Sequence, residues 1–428
     1  MSVHAVQALS RAPKALTLLA ILAGSASCWM PFALPAEPTS TPEPSATPTP
    51  TAVPFVTPDP AVFPKRIVGY YTSWSAKARD YQAFDIPAHQ LTHVNYAFAN
   101  IDTRTGTCVM GDPQAEAVNL PRLAQLKQQH RHLRILISIG GWTWSGGFSN
   151  VALTEETRER FVASCVDLFL VRYDDVFDGI DVDWEYPAGG GLPENISRPE
   201  DTRNYTLLMA EFRRQIDELA AQTGREYLLT IAAPAGPANY ANIALGEISR
   251  HLDWINLMTY DFHGGWDNTT GFQSALYPAV NDPTPKLTAD AAVRGYLEAG
   301  VPAEKIILGV PFYGRGWAGV PATNDGLYQP AAGLPPGTWE QGMFDYKDLA
   351  ANYVHKDGYA RHWDDAAKAP WLYDPSAGVF ITYEDPQSVG FKADYVNAQE
   401  LGGMMLWELS ADDGALLSTL HWRLRYGQ

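Results

Sequence analysis

DGIDVDWEYP, residues Asp178 to Pro187, is the stretch whose reading decides the fold. In an extended strand successive side chains point to opposite faces. Asp181, Asp183 and Glu185 therefore share one face, and Ile180, Val182 and Trp184 share the other. The apolar face is expected to meet surrounding helices, which turns the three acids towards the inside of a closed sheet. Like charges stacked in a low-dielectric interior cannot all ionise, so at least one proton is held among them and the outermost pKa rises. Glu185 lies at the carboxyl end of the strand, where parallel barrels carry their active sites. There it can stay protonated near neutral pH, as a general acid must.

Seven more short β-rich runs flank this one, each followed by a longer polar or helix-patterned stretch. They are Arg66 to Tyr71, Leu91 to Phe98, Leu133 to Ile139, Tyr227 to Ala233, Trp254 to Tyr260, Lys305 to Phe312 and Gly403 to Glu408, with Phe177 to Trp184 as the fourth in order. Eight parallel strands predict an α/β fold, a TIM (β/α)8 barrel over residues 64–428. Glu155 to Tyr173 and Asp201 to Gln222 repeat apolar residues at three- and four-residue intervals, the signature of amphipathic helices. Between the seventh and eighth runs lie about ninety residues, more than one helix and two loops need. Residues 317–380, rich in Gly, Pro, Trp and Tyr, are therefore expected to form a small inserted α+β subdomain.

The chain has 428 residues, 46% of them hydrophobic, and a formal charge of −17 that repels phosphate backbones and anionic membranes. No nucleic-acid partner is expected. Arg11 and Lys14 precede an apolar run from Ala15 to Ala23 and then small residues, a signal peptide pattern over residues 1–28. Ser25, Ala26 and Ser27 before Cys28 fit an ordinary signal peptidase, or a degenerate form of the site at which bacterial lipoproteins are acylated. The protein is thus expected outside the cell, either free or held by a lipid on Cys28 to the outer face of the membrane. Residues 29–63 are Pro- and Thr-rich with little aliphatic surface to bury, so they read as a semi-rigid linker. Beyond it only Cys108 and Cys165 remain, too few for a disulfide framework, and whether they pair is open.

The motif also resembles a known one. Asp178, Asp181, Asp183 and Glu185 have the DxxDxDxE spacing of the family 18 glycoside hydrolases, the chitinases and their relatives. Ser138 to Trp142 (SIGGW) resembles that family's third-strand SxGG element, Met258 to Asp261 its MxYD element, and residues 317–380 its chitinase insertion domain. The resemblance runs from residue 64 to the C-terminus. It implies hydrolysis of β-1,4-linked N-acetylglucosamine polymers, with Glu185 as proton donor and the sugar's own 2-acetamido group as nucleophile. It further implies that Asp183 holds the amide N–H, that Tyr260 donates to the amide oxygen, that Asp181 balances the proton behind Asp183, and that Asp178 serves strand structure. Trp407 would floor the reacting sugar. Tyr70, Phe98, Gly141, Trp142 and Tyr186, with Met258, Asp261, Trp266, Tyr313 and Arg315, would line the substrate site. Trp74, Trp144 and Trp266 follow strand ends and are expected to offer flat faces for stacking on sugars.

Each of these has a plainer reading. Trp407 and Met258 suit an apolar core, Gly140 and Gly141 a tight turn, and Arg315 a structural ion pair. Acids in a row also suit salt bridges or a metal cage, but no Lys or Arg lies within the strand and no His near it. No metal or cofactor is expected, and a monomer acting on chitin or its oligosaccharides is. The rivals are a chitin-binding lectin, against which the presence of both Asp183 and Glu185 counts, and an endo-acting N-acetylglucosaminidase on other glycans.

Overall fold

The computed structural model describes residues 63–356 and 358–427. The expected leader, the linker up to residue 62 and Cys28 lie outside the described residues. Among the described residues no helix is long and apolar enough to cross a membrane.

Eight parallel strands close into a barrel: Arg66–Thr72, His93–Asp102, Arg134–Gly140, Gly179–Asp183, Leu228–Pro234, Trp254–Met258, Ile306–Pro311 and Gly403–Trp407. Each pairs with the next, and the first also pairs with the eighth, with Arg66 opposite Gly403. A short strand, Thr107–Val109, folds back antiparallel on the end of the second. Helices such as Pro113–Gln129, Asp201–Thr223, Pro386–Ala398 and Ala415–Tyr426 form the outer layer. Side-chain parity divides the barrel into two cores. Ile180, Val182 and Trp184 join the large outer cluster under the helices, while Val68, Tyr70, Leu136, Trp254, Ile307 and Met405 fill the inside.

Two local details sharpen the sequence expectations. The segment from Glu155 is α-helical only to Cys165 and continues as a π-helix over Val166–Val171, with Val166, Phe169 and Leu170 buried. Asp201–Thr223 ends at Gly224, whose φ of 68° is the left-handed conformation that glycine adopts most readily. Cys108 and Cys165 are both buried and both free.

Past the seventh strand the chain leaves the barrel for a five-stranded antiparallel sheet. Its order is Met343–Asp345, Tyr313–Ala318, Val379–Thr382, Ala369–Asp374, Ala360–Asp364, with the helix Tyr346–Asn352 beside it. The sheet's outermost strand residues in sequence are thus Tyr313 and Thr382, and it has its own core of Trp317, Trp371, Tyr373 and Phe380. Phe272 and Ala275, from the loop after the sixth strand, belong to the same core, so this subdomain packs directly on one side of the barrel mouth. At its exit, fully buried Lys392 pairs with Glu384 and donates to Ser274 Oγ at 2.7 Å.

Trp184 shows how the acid strand is held from behind. Its indole stacks on Phe148 at 5.4 Å and meets Tyr205 edge-on at 5.1 Å. Trp184→Ala should lower stability by ~3–5 kcal/mol in chemical denaturation, and Trp184→Phe by clearly less; equal stability of all three proteins would show that this face does not fix the strand.

Candidate active site

Asp181 sits deepest in the row and is tied on every side. Its Oδ2 accepts from Tyr70 Oη and Ser138 Oγ, both at 2.7 Å, and its Oδ1 from Thr230 Oγ1 at 2.6 Å and Asn256 Nδ2 at 3.1 Å. These donors come from the first, third, fifth and sixth strands, and register explains two of them, because Asp181 lies opposite Ser138 on one side and Thr230 on the other. Burial raises the Asp181 pKa, while its four hydrogen bonds pull in the other direction.

Asp183, one step higher, is buried with no hydrogen-bond partner for its Oδ1. Burial, then the charges of Glu185 and Asp181, hold its carboxyl well above the usual carboxylate range. A buried polar atom left unpaired is costly, and the cost falls when a ligand supplies the missing partner. Behind it Gly140 comes so close that a Cβ there would stand 2.3 Å from the Asp183 carbonyl oxygen, and its φ is 105°.

Glu185 closes the row at the mouth, 9% exposed. Burial raises its pKa to about 7; the Tyr186 hydroxyl, hydrogen-bonded to it, acts in the lowering direction and the charge of Asp261 in the raising one. Its backbone is fixed on both sides, since Glu185 N donates to Ser145 Oγ at 2.8 Å and Asn195 Nδ2 to Glu185 O at 3.2 Å. Asp178 lies at the other end of the strand, bonded to Ile135 N at 3.0 Å and paired with Lys127 at 2.8 Å, away from the other three acids.

Aromatic rings build the floor. Trp407, at the end of the eighth strand, has Phe98 stacked on it at 5.7 Å and Tyr70 inclined at 5.3 Å. Gly141, φ 77°, lets the Phe98 ring lie where a Cβ would stand 2.7 Å from it. Tyr260 and Met258 pack partly buried against the same cluster. The Tyr260 hydroxyl has Met405 Sδ as a weak partner at 3.8 Å, and burial, followed by the neighbouring Tyr313, Asp183, Asp261 and Glu185, keeps it protonated as a donor.

Asp261 has a φ of 57° and receives three hydrogen bonds: Tyr313 Oη at 2.7 Å, Arg315 Nε at 2.6 Å and Arg315 Nη2 at 2.7 Å. The Arg315 guanidinium in turn lies over the Trp266 ring at 4.7 Å. Trp266, Trp142 and Trp74 are 59%, 48% and 38% exposed, so each presents an open ring, and Trp142 meets Tyr186 edge-on. Trp144 is half-buried, packed against the Phe98 and Trp407 cluster and against Gly111, where a Cβ would stand 2.5 Å from its ring.

Some of the machinery was not singled out from sequence. Thr230 and Asn256 are polar residues at inward positions of apolar strands, a parity signal that was there to read. Arg79 and Glu408, paired at 2.5 Å beside the floor, carry no such signal, because the pairing joins residues more than 300 apart. Among the described residues no group of three or more His, Cys, Asp or Glu is placed to hold a metal ion.

The chain is similar in sequence and in fold to known proteins. The model of the family described as Glycosyl hydrolases family 18 matches residues 66–412. Chitinase A1 of Niallia circulans is 44% identical over 397 residues, covering 81% of this chain, which in turn spans 56% of that protein's length. The structure of chitinase ChiA74 from Bacillus thuringiensis superposes with a TM-score of 0.80 at 39% identity, covering 84% of this chain and 69% of that one. A family 18 N-acetylglucosaminidase from Paenibacillus barengoltzii does so with a TM-score of 0.73 at 37% identity, covering 83% and 99%. With its acid row, its aromatic floor and a family match along most of its length, the chain belongs to glycosyl hydrolases family 18.

Proposed function

We propose that this protein is a secreted retaining chitinase that cleaves β-1,4-N-acetylglucosamine linkages with help from the substrate's own acetamido group. The observation that carries the reading is the middle acid: Asp183 is buried with an unpartnered oxygen, between Asp181 below, which has four donors, and Glu185 above, whose pKa is about 7. An amide N–H is a partner of the kind Asp183 lacks, and donating to it favours the Asp183 anion. Tyr260, with only a thioether beside its hydroxyl, is free to donate to the amide oxygen.

The reaction then follows from the protons. Glu185 passes its proton to the glycosidic oxygen as the bond from that oxygen to the anomeric carbon breaks. The acetamido oxygen forms a new bond to that carbon, giving a cyclic oxazolinium cation that Asp183 stabilises from close range as a carboxylate, its own proton having passed down to Asp181 as the amide N–H came in. Water attacks the same carbon, Glu185 takes the water's proton, the ring opens, and the anomeric configuration is retained after two inversions. Trp407 and Phe98 give the reacting sugar an apolar floor, and Trp142, Trp74 and Trp266 offer faces to its neighbours. The leader-like N-terminus supports export. An N-acetylglucosaminidase acting from a chain end or on other glycans is the second reading, and the Paenibacillus barengoltzii likeness favours keeping it. Identifying the products from chitin oligomers and from a glycoprotein separates the two.

Glu185→Gln should cut turnover by ~10² to 10⁴ with sugar binding retained; near-normal turnover would remove Glu185 from its role. The rate of the parent enzyme should fall as pH rises through about 7, where Glu185 loses its proton. The stability sign follows from the same shift. With a folded pKa of about 7 against 4.5 unfolded, the contribution of Glu185 to stability is complete below pH 4.5 and is lost as pH rises through 7. Glu185→Gln should thus be more stable than the parent at pH 8, by on the order of 1–3 kcal/mol, with the gap shrinking towards pH 4. Asp183→Asn should lower turnover and move the pH–rate profile as well; a profile that stays in place would show the two acids to be uncoupled.

A further inference from the structure

Cys108 and Cys165 belong to different elements and meet in the core. Cys108 is the middle residue of the short strand Thr107–Val109, and its burial between two half-buried neighbours turns its sulfur inwards. Cys165 is the last residue of the helix Glu155–Cys165, where the α-helix gives way to the π-helix. A hydrogen bond beside the sulfurs holds strand and helix in register: Cys108 N donates to Ser164 Oγ at 2.8 Å, and Ser164 Oγ donates to Phe161 O at 2.6 Å. Cys108 is 6% exposed and Cys165 is fully buried, both within one apolar cluster. Burial, followed by the Cys108 thiol beside it, pushes the Cys165 thiol well above the ordinary thiol range.

A single buried cysteine acts as a small apolar filler. A disulfide needs more, namely two side chains that converge from backbones already held together. The strand, the helix and the Ser164 hydrogen bond supply that arrangement. Between the two cysteines the chain runs through the helix Pro113–Gln129, the third strand and Trp142. A bond here therefore closes a long loop, one that carries Ser138, Gly140 and Gly141 of the site, and the stabilisation from closing a loop grows with its length.

We infer that Cys108 and Cys165 form a modification site, closed as a disulfide when the protein meets a disulfide-bearing oxidant outside the cell. The occasion for the reaction rests on the proposed secretion; the reactivity of the pair does not. The thiolate of one cysteine attacks the S–S bond of the oxidant, forming a mixed disulfide and releasing one thiol. The thiolate of the other then attacks the protein sulfur of that mixed disulfide and releases the second thiol. Two electrons and two protons pass to the oxidant, which leaves as two thiols, and the protein loses two hydrogens. Because both sulfurs are buried, the exchange takes place before the short strand closes on the helix or during its local opening, and the same burial then shields the bond from reductants.

The probe is oxidised glutathione, applied to the full chain in reduced form, both folded and during refolding from urea. Acid quenching, alkylation and peptide mapping should return Cys108 and Cys165 joined, with a mass lower by two hydrogens. The oxidised protein should melt on the order of 3–5 °C above the reduced one, and the gap should vanish in Cys108→Ala and in Cys165→Ala. The two redox forms share one sequence, so the main comparison does not depend on either variant folding. Recovery of both thiols alkylated after refolding, glutathione adducts that do not resolve into the bridge, or a bridge from either residue to Cys28 overturns the inference. Protein collected from the medium of a producing culture should already carry the bridge. If the chain instead stays inside the cell with both thiols reduced, yet closes the bridge with oxidised glutathione, it is the secretion reading that falls.

Discussion

Everything in this active site depends on keeping three carboxylates inside a barrel. The protein solves this by treating them unequally. Asp181 receives four donors from four strands, which makes it as well solvated by protein as a buried carboxylate can be. Asp183 receives none at Oδ1, and Glu185 has the Tyr186 hydroxyl and the edge of solvent. Charge is therefore most tolerable at the bottom of the row and protons are retained towards the top, at the barrel mouth. A structural ion-pair cluster would balance its acids with cations. Here the strand's only acid with such partners is Asp178, outside the row, which meets Lys127 and Arg134 at the base.

The remainder of the fold supplies rigidity to that arrangement. Trp184 stacks behind the strand, Ser145 and Asn195 fix the backbone at Glu185, and Gly140 allows the third strand to pass close to Asp183. The inserted sheet performs a different task. It starts with Tyr313 and Arg315, both of which grip Asp261, and its core includes residues from the loop after strand six. The sheet is thus joined to the barrel mouth by hydrogen bonds to Asp261. The joint through Arg79, Glu408 and Asp345 ties the same sheet to the ends of strands one and eight.

Much of this was legible in the chain because strand parity is a strong signal. The alternation in DGIDVDWE fixed which residues face inwards, and the eight runs read from sequence overlap the eight barrel strands to within a few residues at either end. The excess length after the seventh strand announced an insertion, although not its five-stranded antiparallel order. What stayed hidden depends on register and distance. Thr230 reaches Asp181 because of how the fourth and fifth strands pair, and Arg79 reaches Glu408 across 329 positions. Trp144 follows a strand end just as Trp142 does, but it is half-buried against the cluster where Trp142 is exposed, a difference that local sequence does not carry.

The central claim concerns where protons reside in the substrate-free row. Isotope-edited infrared spectroscopy of protein with labelled Asp and Glu carboxyls reads this directly through the stretch of the protonated group. The account predicts, at pH 6, a buried protonated carboxyl band from Glu185 that disappears with an apparent pKa near 7 and is missing from Glu185→Gln. A spectrum at that pH in which all three acids absorb as carboxylates would contradict it.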